Sequence, residues 1–157
     1  AKDIDEETQV ALAYVGNFYD SAAGKDMALT QYQNGADVGF NVAGSAGLGQ
    51  IEAAVDAKRY AFGVDSDQAA VLPDYAANIP TSALKNVGNS LVRAIKEDME
   101  GNLAYGTLEY LGLADGGVEL VEDEHYEETV PEDIRTKVEE LKQDIIDGKI
   151  IYLMMDL

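Results

Sequence analysis

The chain has 157 residues, 46% of them hydrophobic and 26% charged, which is the composition of one globular domain. It carries 30 acidic residues against 11 Lys and Arg, a formal net charge of −19, and lacks the clustered cations that bind a nucleic-acid backbone or an anionic bilayer. Without cysteine it has no disulfide, thiol nucleophile or thiolate metal site, and no apolar run approaches the length that crosses a membrane.

The acidic charge leaves two interpretations open. A highly soluble acidic surface is the ordinary one, and adaptation to high salt is the other. A comparison of melting temperatures at low and at molar salt separates them, because only the second predicts stabilisation by salt.

The first half of the chain alternates apolar runs with helical patterns. Residues 1–8 are charged and aperiodic, as in a linker. The predicted elements that follow are a strand at residues 9–18, a helix at 21–35, a strand at 36–44, a helix at 46–58 and a strand at 60–64. Since short connections join these elements, the order predicts an α/β fold with a parallel sheet flanked by helices.

The second half is less regular. Its predicted elements are a short strand or turn at residues 80–85, an amphipathic helix at 86–101, a β-hairpin at 102–122 turned at Asp115-Gly116-Gly117, a helix from Pro131 to Gly148 and a strand at 149–155. The dipeptides Asp-Gly and Gly-Gly favour tight hairpin turns, and proline favours the first turn of a helix.

Polar and glycine-rich residues follow the three strands of the first half at the point where each strand ends. The segments are GNFYD, AGSAG and DSDQ. Because the carboxyl ends of parallel strands meet at one edge of the sheet, where ligands bind in such folds, we expect a binding site there.

Two glycine-rich segments near this edge have some features of nucleotide-binding loops. GNFYDSAAGKD is not a phosphate-binding loop, because its glycine spacing differs and Lys25 is followed by Asp26. GSAGLG, at residues 44–49, has the dinucleotide fingerprint in reverse order. It either lets a ligand approach the backbone at a helix amino end or is a tight turn without a ligand.

Asp65 and Asp67 end the third strand and allow several interpretations. A divalent ion needs more oxygen ligands than lie nearby in the sequence, and a catalytic pair needs a nucleophile or base that is missing there. A carboxylate that accepts two hydrogen bonds from a sugar diol and a carboxylate that caps a turn both stay open. The only histidine, His125, lies among acidic residues and is interpreted as a solvated loop residue. We therefore expect no metal, no cofactor and no enzymatic activity.

Four stretches together resemble the basic membrane protein (BMP) family, whose members are solute-binding lipoproteins of ABC importers. The stretches are AYVGNFYDSAAGKDMALTQYQNGADVGFNVAGSAGLGQIEAA, YAFGVDSDQ, PTSALKNV and DGKI. The resemblance implies a class I periplasmic-binding fold, in which two α/β lobes close on a ligand at a hinge. Family members have an amino-terminal lobe, a lipid-attached cysteine and a signal peptide before the matched residues. The resemblance thus implies that this chain is the carboxyl-terminal lobe of a membrane-anchored, extracytoplasmic protein.

The resemblance also implies a ligand, a purine nucleoside or a similar ribose-containing solute, and residues that contact it. Asp65 matches the carboxylate that grips the ribose hydroxyls, and Lys85 matches a lysine at the sugar. The remaining implied contacts are Gly44 and Ser45 through the backbone, Phe18 and Asp20 at the first strand, and Gln50 after the glycines. Gln50 departs from the aromatic or aliphatic residue of other members, which weakens any expectation of base stacking there.

The implied partners are an ABC permease and the amino-terminal lobe. In this interpretation residues 1–8 are a linker or hinge remnant, residues 9–157 are the lobe, and the helix at 86–101 packs on the other lobe. Its apolar stripe would otherwise be uncovered, which favours a homo-oligomer or a swapped dimer. The alternative is a stand-alone ligand-sensing or interaction domain of the same fold, and an α/β enzyme ranks third because many functions share this fold class.

Overall fold

The computed structural model describes residues 4–150, which divide into two compact units. One unit comprises the residues up to Phe62 together with Asp74–Ile79, and the other comprises Gly63–Pro73 and the residues from Pro80 onward. Within residues 4–150 no helix is both long and apolar enough to span a bilayer.

The first unit contains helices α1 and α2 and a parallel ladder of strands β1 and β2. Their bounds are α1 Ser21–Gln33, β1 Val38–Phe40, a 3₁₀ turn at Gly44–Ala46, α2 Gly47–Ala57, β2 Tyr60–Asp65 and a second 3₁₀ segment at Pro73–Asn78. The register pairs Val38 with Tyr60 and Phe40 with Phe62. The strand–helix–strand order of the central part thus yields the parallel pairing that the sequence predicts.

Helices α1 and α2 pack with their backbones in close approach, and glycine makes this possible. A Cβ atom on Gly24 would lie 2.2 Å from the carbonyl oxygen of Ala46, and one on Gly49 would lie 1.9 Å from that of Ser21. Any side chain at these two positions would push the helices apart. Two glycines of the first half are therefore explained by helix packing.

One hydrogen bond and one ion-pair cluster tie the elements of this unit together. The buried Tyr32 donates its hydroxyl to the carbonyl oxygen of Tyr60 at 2.9 Å, and burial raises the pKa of Tyr32 to about 12. Lys25 of α1 pairs with Asp56 at 2.8 Å and with Glu52 at 3.4 Å, both on α2. The hydrogen bond to Asp56, followed by the one to Glu52, raises the pKa of Lys25 against the opposing effect of desolvation.

The second unit begins within β2, at Gly63, and contains a mixed ladder. Its further elements are α3 Gln68–Val71, β3 Ser82–Lys85, α4 Val87–Glu100, β4 Val118–Leu120, α5 Glu124–Thr129 and α6 Glu132–Ile146. Strand β3 is parallel to β2 and antiparallel to β4, with Ala83 opposite Leu120 and Lys85 opposite Val118. The α/β class with flanking helices agrees with the prediction, whereas β4 makes the sheet mixed.

The strand predicted at residues 9–18 is wrong. These residues lie outside every helix and strand, and Val10, Leu12 and Tyr14 are 57%, 80% and 86% exposed. An apolar run supplies side chains for a buried strand, but a strand exists only where a neighbouring backbone accepts and donates its hydrogen bonds.

Three other predictions of the second half also change. Residues 102–117 contain no strand, and β4 pairs with β3 rather than with the chain before it, so the predicted hairpin is wrong. His125 lies in α5 and is half-buried, so it is not a loop residue. The strand predicted at 149–155 falls almost wholly outside the described residues.

Helices α4 and α6 lie where the sequence predicts them. Pro131 occupies the N-cap position of α6 without a side-chain capping bond, and Gly101, with a φ of +75°, ends α4. The apolar stripe of α4 is exposed at Val87, Leu91 and Ile95. That this stripe packs on a second lobe or on another copy stays a prediction.

Candidate functional site

Asp65 ends β2 in an unusual backbone conformation. Its φ is +69°, one of two positive values among the described non-glycine residues. The N–H of Ser66 donates to the carbonyl oxygen of Val64 at 2.9 Å, which closes a three-residue turn centred on Asp65. Turns of this kind with positive φ are rare and strained, and aspartate tolerates them better than most side chains. Strained backbone positions cluster at functional sites, which makes Asp65 a candidate site residue.

Lys85 lies at the end of β3, beside Asp65. In the register of the two parallel strands Asp65 is opposite Leu84, so Lys85 follows directly at the same carboxyl edge. Lys85 Nζ lies 2.7 Å from Asp65 Oδ1, and the two side chains are 59% and 54% exposed. The structure thus brings together the two residues that the sequence places at one edge. It presents a cationic donor next to an anionic acceptor, both accessible to a solute.

The other polar residues after β2 serve the local fold. Asp67 Oδ1 accepts from the N–H of Ala70 at 3.1 Å and so caps α3. Gln68 Oε1 accepts from the N–H of Val64 at 2.9 Å, while the Gln68 N–H donates to Ser82 Oγ at 3.1 Å. Of the two carboxylates at this strand end, Asp67 is the turn cap and Asp65 is the one whose side chain meets a charged partner.

In the first unit, Phe18 and Gly44 are neighbours. The carbonyl oxygen of Phe18 accepts from the N–H of Ala46 at 3.2 Å, and a Cβ atom on Gly44 would lie 3.1 Å from the same oxygen. Gly44 has a φ of +58°, which glycine adopts without strain. Ser45 is exposed in the same 3₁₀ turn. Asp20 accepts from the N–H of Ala23 at 3.0 Å and therefore caps α1.

Gln50 lies on the face of α2 that packs on β1. Its Nε2 would be 2.1 Å from a Cβ atom on Gly39, and its Oε1 is buried without a hydrogen-bond partner among the described residues. Gly47 of the same helix faces the side chain of Asn41, where a Cβ atom would lie 2.7 Å from Oδ1. The glycine-rich segment therefore has a packing role at Gly47 and Gly49.

The structure also contains a groove that the sequence did not suggest. It has a volume of about 410 Å³ and opens beside Lys85. Its lining includes Lys85, Val87, Tyr110, Leu111, Gly117 and Val118. The sequence predicts a hairpin at residues 102–122. In a hairpin these side chains would lie on the face of a sheet and would not line a groove. The signal available was the apolar cluster of Leu108, Tyr110 and Leu111, of which Tyr110 and Leu111 line the groove.

Among residues 4–150, no cluster of three or more His, Asp or Glu side chains has the arrangement of a metal site. Within the second unit, the candidate site thus consists of a paired carboxylate and ammonium group and a groove beside Lys85. Such an arrangement binds through hydrogen bonds and surface burial.

Comparison with known proteins finds similarity to solute-binding proteins over the length of the chain. The model of the Bmp family, described as ABC transporter substrate-binding protein PnrA-like, matches residues 1–151. Basic membrane protein D of Borreliella burgdorferi (strain JD1) is 35% identical over 153 residues, which cover 96% of this chain and 44% of that protein. The ABC transporter nucleoside-binding protein BmpA of Lactococcus lactis subsp. cremoris is 32% identical over 165 residues, covering 96% of this chain and 45% of that protein.

Solved structures agree in fold. An ABC transporter solute-binding protein from Aeropyrum pernix K1 has a TM-score of 0.79 at 27% identity, covering 99% of this chain and 51% of that one. A structure described as a transcriptional activator of the comK gene from Bacillus halodurans has a TM-score of 0.76 at 25% identity, covering 88% and 46%. The chain spans about half the length of the proteins that it matches.

Proposed function

The chain belongs to the Bmp family of ABC transporter substrate-binding proteins, and on that premise we propose that it binds a nucleoside for import. The relative described as a nucleoside-binding protein supports this ligand class. The proposed place of action is extracytoplasmic, with the protein anchored as a lipoprotein and an ABC permease as its partner.

The observation that carries the proposal is the ion pair of Asp65 and Lys85. A carboxylate accepts hydrogen bonds from two adjacent hydroxyls at once, and an ammonium group donates to the same hydroxyl oxygens. A ribose diol offers donors and acceptors in this arrangement. Both side chains are more than half exposed, so a solute reaches them without unfolding the strand ends.

Charge favours a neutral nucleoside over a nucleotide. The chain has a formal net charge of −19, and two cations of the second unit are engaged by carboxylates. Lys85 is bound to Asp65, and Arg93 is bound to Glu109 through two hydrogen bonds. A phosphate group would therefore meet a negative field and would have to compete with these carboxylates for the two cations.

The proposed contacts of the first unit have weaker support. Gly44 and Ser45 offer exposed backbone, and the ring of Phe18 is exposed. Asp20 is engaged as a helix cap, and the carboxamide of Gln50 lies in the packing layer of α2. We keep all five as proposed ligand contacts, with Asp65 and Lys85 as the residues on which the function rests.

The test is to identify the ligand of the full-length protein. Mass spectrometry of the purified protein is expected to detect a co-purified nucleoside, and calorimetry is expected to show binding of nucleosides but not of their monophosphates. Absence of binding for every nucleoside tried would overturn the proposal. Recovery of the free base after incubation would indicate a hydrolase rather than a binding protein.

A second candidate is a ligand-sensing domain without a transport role. The likeness to a structure described as a transcriptional activator favours it. Uptake of radiolabelled nucleoside by cells with and without the gene separates the two. Loss of uptake in the deletion strain supports import, whereas unchanged uptake with altered transcription supports sensing.

A further inference from the structure

We infer that Asn34 is a site of spontaneous deamidation in the folded protein, with the backbone nitrogen of Gly35 as the attacking group. Asn34 ends α1 as its C-cap residue, and Gly35 follows it with a φ of +101°. Asparagine cyclises fastest when glycine follows it, because glycine has no side chain to obstruct the attack. The inference concerns the chemistry of the chain itself and is independent of the proposed ligand.

The reaction needs only these two residues and water. The nitrogen of Gly35 bonds to Cγ of Asn34, and the bond from Cγ to Nδ2 breaks, so that Nδ2 leaves as ammonia with the amide proton of Gly35. Water then opens the resulting succinimide ring at one of its two carbonyl groups. Opening at one gives aspartate. Opening at the other gives isoaspartate, in which the main chain runs through the former side chain.

The structure leaves both reacting groups accessible. Asn34 and Gly35 are exposed, and a Cβ atom on Gly35 would have no atom of a non-neighbouring residue within 4 Å. Within residues 4–150 the side chain of Asn34 has no hydrogen-bond partner. The N–H of Gly35 donates to the carbonyl oxygen of Tyr32 at 3.1 Å, in the last turn of the helix. Because helix ends fray, this bond opens without disturbing the rest of α1.

Two aspartates that could form the same ring are held by hydrogen bonds. Asp115 and Asp147 each precede a glycine. Asp115 Oδ2 accepts from the N–H of Gly112 at 3.1 Å. Asp147 accepts from Gln143 Nε2 at 2.7 Å and pairs with Lys149 at 3.0 Å. An ionised carboxylate also lacks a good leaving group, so we expect both aspartates to react more slowly than Asn34.

A second asparagine with a small following residue is protected by its helix. Asn89 precedes Ser90 and lies within α4. The N–H of Ser90 donates to the carbonyl oxygen of Asn86 at 3.2 Å, and Asn89 Nδ2 donates to that of Gly116 at 3.4 Å. The nitrogen that would attack therefore belongs to the first turn of a helix, and the side chain is engaged as well. Among residues 4–150, Asn34 is thus expected to be modified fastest.

The modification changes the charge at the end of α1. The last carbonyl groups of a helix carry partial negative charge, so a new carboxylate beside them is destabilising. Isoaspartate also adds one methylene to the main chain in the short connection between α1 and β1. Protein that has aged in solution should therefore melt at a lower temperature than fresh protein.

The experiment incubates the full-length protein, folded and in urea, at neutral and at mildly alkaline pH. Peptide mass spectrometry locates the products, and methyl transfer by an isoaspartate methyltransferase measures isoaspartate separately. In the folded protein we expect at least about tenfold more product at Asn34 than at Asn89, because opening a helix end costs less than opening a helix. Alkaline pH should accelerate the reaction, since the deprotonated nitrogen attacks. In urea Asn89 should react as well.

Asn34→Gln is the matched variant, because its longer side chain would have to close a larger ring, which forms slowly. Its melting temperature should stay constant through the incubation, whereas that of the wild type falls. If Asn34 reacts in urea but stays unmodified in the folded protein, the helix end protects it and the inference is overturned. Equal amounts of product at Asn34 and Asn89 in the folded protein would overturn it too.

Discussion

Lys85 Nζ lies 2.7 Å from Asp65 Oδ1, and parallel pairing of β2 with β3 brings the two residues to one edge of the sheet. The register places Asp65 opposite Leu84, one residue before Lys85. A helical turn and a 3₁₀ segment separate the strands in sequence, at Gln68–Val71 and Pro73–Asn78. The pair is therefore a product of the crossover, which returns the chain to the sheet in the same direction.

Replacement of Asp65 is expected to weaken ligand binding with little effect on folding. Asp65→Asn removes the charged acceptor, and hydrogen bonds to charged groups contribute about 1.5–3 kcal/mol. The affinity for adenosine should therefore fall by about 10- to 150-fold in calorimetry. Because the ion pair with Lys85 is exposed, the free energy of unfolding should change by less than about 1 kcal/mol.

Asp67→Asn is the matched control for that variant. Asp67 caps α3 through the N–H of Ala70, and asparagine is an equally good cap. Its adenosine affinity should equal that of the wild type. A loss as large as that of Asp65→Asn would show that the strand end as a whole, rather than one carboxylate, determines binding.

The strained backbone at Asp65 predicts that two variants with equally weak binding differ in stability. Asp65→Gly and Asp65→Ala both remove the carboxylate, but only glycine adopts a φ of +69° without strain. The glycine variant should be more stable than the alanine variant by about 1–2 kcal/mol in urea denaturation. Both should bind adenosine weakly, and equal stabilities would show that the positive φ relaxes without cost.

Close packing of α1 on α2 predicts a large effect at one glycine. A Cβ atom on Gly49 would lie 1.9 Å from the carbonyl oxygen of Ser21, so Gly49→Ala forces the helices apart. The free energy of unfolding should fall by about 1–3 kcal/mol, as for other overpacked sites. Gly88→Ala serves as the control, because Gly88 is helical with no atom within 4 Å of an added Cβ. That variant should keep or gain up to about 1 kcal/mol of stability.

Stability should decline in alkaline solution through Tyr32. Burial raises the pKa of this hydroxyl from 10.0 to about 12 in the folded state. Above pH 10 the unfolded chain loses the proton while the folded chain keeps it, so stability falls as pH rises toward 12. The loss reaches up to about 3 kcal/mol, since one pKa unit corresponds to about 1.4 kcal/mol.

Tyr32→Phe tests this assignment. The variant loses the hydrogen bond to the carbonyl oxygen of Tyr60, so it should be less stable at neutral pH by about 1 kcal/mol. Its stability should nevertheless decline less between pH 10 and 12 than that of the wild type. Parallel declines in the two proteins, measured by urea denaturation at several pH values, would assign the alkaline loss to other groups.

Local patterns predicted most of the helices and two of the strands. Apolar spacing and end signals located α2 to within one residue at each end, and Pro131 located the start of α6. Asp65 was placed at the carboxyl edge of the sheet because it ends a predicted strand, whereas Lys85 was expected at the ligand only because the resemblance implies it. Four stretches of the sequence carried the resemblance to a family of solute-binding proteins, and the match to the Bmp family model confirms it.

Tertiary structure alone decided the hydrogen-bonding partners. Residues 9–18 have the composition of a buried strand but lie outside the sheet, and β4 pairs with β3 rather than within a hairpin. Gly49 allows close helix packing, although the glycine spacing was also compatible with a ligand-binding loop. Tyr110 lines a groove that the sequence pattern did not predict. The physical reason is common to all four cases. Helix and strand tendency is a property of neighbouring residues, whereas strand pairing, close backbone approach and grooves arise between residues distant in sequence, and their free energies depend on which surfaces meet.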